Sequence, residues 1–136
     1  MRKLSIVEIQ KLIKEVIDEH TSIKFVDGVE RDQQAPFCFV EVSNSVPQNS
    51  KTMFVTIYNL SIHLVSKAAL SSIEHGKNIQ QIEEALTHRL VLPGTFDAFN
   101  QTDTSIMANY QDPKTGERHA VIGLALSVSY GFKSKI

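Results

Sequence analysis

Residues 53–67 read MFVTIYNLSIHLVSK. Apolar residues alternate along the stretch, which is the period-two signature of a β-strand. The stretch is far longer than the usual strand of roughly 5–6 residues. One face carries Phe54, Thr56, Tyr58, Leu60, Ile62 and Leu64, five of six apolar, and is expected to meet the core. The other begins with Met53, Val55 and Ile57 and continues with Asn59, Ser61 and His63. Such a strand is expected to start covered on both faces and to end covered on one.

Helices flank this strand at a distance in sequence. Ser5-Ile6-Val7-Glu8 matches a capping box, in which the Ser and Glu side chains each satisfy a free backbone N–H. Ile6, Ile9, Leu12 or Ile13, Val16 and Ile17 follow at helical spacing, and the helix is expected to end near His20. After the long strand, Ser71-Ser72-Ile73-Glu74 matches the same box. Ile79, Ile82, Leu86 and Leu90 form one stripe, and Pro93-Gly94 is expected to stop that helix.

The other strands are read in the same way. Residues 23–26 are β-prone and stop at Asp27-Gly28. A strand FCFVEVS follows Pro36, and 43–51 read as a polar loop. The segment TFDAFNQTD reads as a connection, and 105–110 as a short strand. A turn-rich loop at 112–117 leads into the last strand, 118–130. There Ala120, Ile122, Leu124, Leu126, Val128 and Tyr130 alternate with mostly small residues. The order is α-β-β-β-α-β-β. It predicts an α+β fold in one domain, 1–136, with a mainly antiparallel sheet and two helices packed on one face. A ferredoxin-like arrangement is the nearest competitor.

Composition bounds the function. A chain of 136 residues buries roughly two-thirds of its unfolded surface and needs no disulfide or structural metal. With 14 basic and 15 acidic residues it has no excess of positive charge for a nucleic-acid backbone. The single cysteine, Cys38, sits in an apolar alternating run and reads as a small buried hydrophobe. No signal-peptide core and no membrane-spanning run is present, so a soluble, cytoplasmic protein is expected.

Catalytic motifs are absent: no phosphate-cradling GxxxxGK[ST], no GxGxxG, no GxSxG and no HExxH. Glu84 and His88 stand at i,i+4, a spacing that could share a metal, but they read as a solvated surface pair. His63 and His119 lie on the polar or small faces of long strands and could approach if those strands are neighbours. A ligand-binding or enzymatic α+β domain with a site near these two histidines is therefore the alternative reading. No catalytic residue, cofactor or metal is expected.

The ordered features also resemble a family. A Pro-Phe strand entry at Pro36-Phe37 is followed by a strand ending His63, Val65, Ser66 and by a closing hairpin over 112–129. This succession resembles the tail-completion, or head–tail joining, proteins of long-tailed bacteriophages and prophages, with a tail-terminator-like fold. Val65 stands where that family usually has an aromatic residue.

The resemblance implies a non-enzymatic virion assembly protein, a subunit of a six-fold ring at the head-proximal end of the tail. Its partners would be copies of itself, the tail-tube protein and the head connector, with DNA passing through the lumen unread and no membrane contact. It would act in the host cytoplasm during assembly and remain in the virion. The candidate interface residues are Asn44, Val46, Gln48, Lys51, Met53, Val55, Asn59, Ser61, His63, Lys114, Arg118 and His119. A bulky charge at Ser61 is expected to spare folding and impair joining.

Overall fold

The computed structural model describes residues 5–27, 33–68, 71–88, 90–92 and 97–132, with the backbone alone for 97–99 and 130–132. The turn at Gly28, residues 29–32 of the polar loop, the Pro93-Gly94 stop and the Tyr130 side chain lie outside the described residues.

Helix α1 spans Ile6–His20, and its capping box is complete. Ser5 Oγ accepts from the Glu8 N–H, and the Glu8 carboxylate accepts from the Ser5 N–H, both at 3.3 Å. Ile9, Ile13 and Ile17, one residue per turn, are fully buried. Helix α2 spans Ser72–Ala85. Ser71 Oγ caps it through the Glu74 N–H at 3.1 Å. The Glu74 carboxylate does not complete a box, because it takes Lys77 Nζ at 3.2 Å.

Strands β1 (Lys24–Phe25), β2 (Phe37–Pro47), β3 (Met53–Ser66), β4 (Asp97–Gln101), β5 (Ser105–Gln111) and β6 (Arg118–Phe132) form one sheet in the order β1-β2-β3-β6-β4. β5 pairs with the other half of the β6 edge that β4 occupies. All pairings are antiparallel except β1 with β2. The long strand of the opening stretch is thus β3, held between β2 and β6.

Both helices pack on one face of this sheet. Ile9, Ile13 and Ile17 of α1 and Ile79 and Ile82 of α2 share a core with Tyr58, Leu60, Ile62 and Leu64 of β3. The even-numbered residues Ala120 to Val128 of β6 join them. The helices also meet each other. Ser22 donates its N–H and its Oγ–H to Gln81 Oε1 at 3.1 Å each, and His20 stacks on His88 with ring centroids 3.9 Å apart. Cys38 is fully buried in the same core, and burial pushes its thiol up to about 12. His75, 2% exposed, ties α2 to the sheet.

Three boundaries differ from the sequence reading. β2 runs on through 43–47, read above as loop, because its backbone pairs with β3 from Asn44↔Asn59 to Pro47↔Thr56 after a bulge at Ser43. Those residues are exposed on both sides, so no alternation marks them. The connection after α2 contains an additional strand, β4. Helix α2 ends at Ala85, before Leu86 and Leu90, which are nonetheless buried. Gln101 of β4 holds that end in place. Its Nε2 donates to Leu86 O at 2.6 Å and His88 O at 3.2 Å, and its Oε1 accepts from the Leu90 N–H at 3.3 Å.

Candidate assembly interface

Alternation along the strands divides the sheet into a helix-covered face and an opposite, outer face. Among the described residues no helix packs on the outer face. Cross-strand register sets out its rows: Phe37–Val65–His119–Tyr110, then Phe39–His63–Val121–Ala108, then Glu41–Ser61–Gly123–Ser105. Further along come Asn44–Asn59–Ala125 and Val46–Ile57–Ser127.

Seven of the twelve expected interface residues therefore share one face: Asn44, Val46, Val55, Asn59, Ser61, His63 and His119. Met53 continues the same alternation at the start of β3 and is half-buried. Gln48 and Lys51 lie in the loop between β2 and β3, where the Gln48 N–H donates to Val55 O at 2.9 Å. Lys114 lies exposed at the opposite end, on the 112–117 turn. β3 has 14 residues, so the two loops stand roughly 40–45 Å apart. Arg118 pairs with Ser66 across the strands and belongs by alternation to the helix-covered face, so it departs from the group.

The outer face is not uniformly wet. Met53 and Ile57 are half-buried and Val55 is buried, which fits apolar cover at the start of β3. The far end is covered as well, because Val65 packs with Val26 and Phe37 in a second apolar cluster. Polar residues between these ends pair with one another. Asn59 Nδ2 donates to Asn44 Oδ1 at 2.6 Å, and the Ser43 and Ser61 hydroxyls lie 2.9 Å apart. Ser61 is only 7% exposed, so a bulky charge there would disturb the sheet itself, contrary to the expectation above.

His63 and His119 sit on adjacent strands at diagonal positions, and both line one groove of about 360 Å³. Each is stacked on a neighbouring ring, His63 on Phe39 with centroids 4.7 Å apart and His119 on Tyr110 at 5.1 Å. Both pairs are within 5° of parallel. His63 Nε2 lies 3.3 Å from the Glu41 carboxylate, too poorly aligned for a hydrogen bond, and His119 Nε2 is also buried without one. Phe39 and Tyr110 were not foreseen as site residues, although the 112–117 turn, counted outward, sets Tyr110 opposite His119.

A second concavity, of about 350 Å³, lies over the small residues Ser61, Gly123 and Ala125. The bulged residue Met107 overhangs it. A Cβ on Gly123 would stand 2.6 Å from Met107 Sδ.

Other expectations for chemistry dissolve in the fold. His88 lies beyond the end of α2 and stacks on His20, while Glu84 accepts from Gln80 Nε2 at 2.9 Å. They do not act as a pair. Among the described residues no three His, Cys, Asp or Glu are placed to hold a metal ion, and no helix is long and apolar enough to cross a membrane.

The described residues form an α+β scaffold with both helices on one face of the sheet. A phage tail terminator family, described as "Putative tail termination protein", matches residues 1–136, and the chain belongs to that family. Its role is in virion assembly. Comparison by sequence with curated proteins finds no match. Among solved structures, a chain of the "Virion of native gene transfer agent (GTA) particle" superposes with a TM-score of 0.67 at 10% identity. The superposition covers 91% of this chain and 96% of that one, and the two share a fold.

Proposed function

We propose that this protein completes the head-proximal end of a phage or prophage tail as one subunit of a six-fold ring, and joins the tail to the head connector. Membership of the tail terminator family carries the reading. The open outer face supports it, because a closed ring needs one patch on each subunit to meet a different patch on the next. The two loops at opposite ends of β3 support it further. A contact made by Lys51 and a contact made by Lys114 are too far apart to be one contact. One end would meet the tail-tube protein and the other the connector. DNA would traverse the lumen without being read, which a formal net charge of -1 favours. The protein would act without catalysis, as a single domain, in the host cytoplasm before it is built into the virion.

Deletion of the gene, with complementation from a plasmid, tests this. Lysates of the deletion should contain filled heads and free tails as separate particles in electron micrographs, and the plasmid should restore virions. Normal virions from the deletion would end the joining reading.

A further inference from the structure

The groove between Phe39, His63, Tyr110 and His119 is more than a depression in an apolar face. Its walls are two stacked ring pairs, one on β2 and β3 and the other on β5 and β6. Glu117 lines it. Among the described residues no lysine or arginine lines it. Both imidazole Nε2 atoms are buried without a hydrogen-bond partner.

We propose that this groove receives an arginine side chain presented by a protein partner. Each property of the groove answers one property of a guanidinium group. A planar cation stacks on aromatic faces, and the exposed sides of the ring pairs supply them. Its five N–H donors form a fixed fork, and Glu117 supplies a charged acceptor.

Other occupants fit less well. An apolar side chain would desolvate Glu117 without giving it a partner. An acidic side chain or a nucleic-acid phosphate would face the Glu117 carboxylate. A lysine is a compact, strongly hydrated charge without a planar face to stack. The inference rests on the assembly reading for the source of the arginine, and deepens it by naming what the outer face grips.

The test uses the purified full chain and two probes, N-acetyl-arginine amide and N-acetyl-citrulline amide. Citrulline keeps the planar, stem-mounted shape of arginine and lacks the charge. The ring resonances of His63, His119 and Tyr110 are followed by NMR during titration. Saturable shifts at these rings are expected with the arginine probe, and binding about fivefold weaker or worse with citrulline. Glu117→Gln, at a half-buried position whose neutral replacement keeps the shape, should weaken the arginine probe to a similar extent.

Equal binding of the two probes overturns the proposal, as does the absence of shifts at these rings with the arginine probe. The wild-type comparison stands even if the variant fails to fold. Virions that assemble normally without the gene would remove the assembly reading and leave the titration unchanged. A failed titration alongside defective assembly would remove only the groove's assignment.

Discussion

Ser66 Oγ lies 2.6 Å from Nδ1 of His75, and that contact joins the end of β3 to the first turn of α2. The neighbouring bonds fit one arrangement of the protons. Asn78 Nδ2 donates to Ser66 Oγ at 3.1 Å, so the hydroxyl proton is free to point at Nδ1. His75 Nε2 then carries the ring proton and donates to Asn109 Oδ1 on β5, at 3.2 Å. One neutral tautomer satisfies the whole chain of bonds across three elements.

This network makes stability depend on pH. Burial lowers the pKa of His75 below its ordinary value, against smaller opposing contributions led by the Asn109 bond. The unfolded chain takes up the proton near pH 6.5 and the folded one only at lower pH. Stability is therefore fully present above that pH and falls as the pH drops through about 6.5 towards the folded value. The urea midpoint should be lower at about pH 5.5 than at about pH 7.5. His75→Gln should show a smaller difference between the two, and should cost about 1–3 kcal/mol at the higher pH. An unchanged pH dependence in the variant would remove His75 from this role.

Gln101 is the second point where polar contacts hold a helix. Gln101→Ala would strip the bonds from Leu86 O and His88 O at the end of α2. The expected loss is about 1–2 kcal/mol, read by denaturant unfolding. Amide exchange should accelerate in the last turn of α2 more than in α1.

Gly123 tests how firmly Met107 is set over the outer face. An added Cβ would come within 2.6 Å of Met107 Sδ and 3.3 Å of Ser105 Oγ. Met107 is 63% exposed and its thioether can swing away. Gly123→Ala should therefore stay within about 1 kcal/mol of wild type by denaturant unfolding. Gly123→Val, whose extra methyls also meet Ser105, should cost more.

The outer face can be charged without harm to the fold at Val46, which is 47% exposed. Val46→Glu should keep the unfolding midpoint within about 0.5 kcal/mol of wild type and reduce the yield of joined virions in the complementation assay. Full yield from a folded Val46→Glu protein would place that end of β2 outside any assembly contact.

Much of this fold was legible because its longest elements carry apolar residues at a regular spacing. β3, β6 and α1 each present apolar residues at the period of their backbone, and their sequences show it directly. The outer end of β2 buries neither face, so its pairing with β3 left no pattern to read. The early end of α2 was concealed differently. Leu86 and Leu90 keep the helical stripe in sequence and are buried in the core, but beyond the helix end, where Gln101 bonds their backbone groups.

The candidate face was legible where polar residues interrupt apolar alternation, at Asn59, Ser61 and His63. Its aromatic members were not, because Phe39 and Tyr110 look like core residues until the strand pairing shows which way they point. The burial of Ser61 was equally hidden, since its cover comes from Ser43 on the bulge of a neighbouring strand.

β6 pairs with β3 along one edge and with β5 and then β4 along the other. It is also the last strand in chain order. A ribosome therefore releases β3, β4 and β5 before the strand that unites them exists outside the exit tunnel. Until Arg118–Phe132 emerges, β3 has its β6-facing backbone groups open and β4 and β5 have no sheet to join. The nascent chain thus carries unpaired strand edges from the emergence of β3 until that of β6, the interval in which such edges are exposed to aggregation. A chaperone that binds extended apolar segments should meet this chain before β6 closes the sheet.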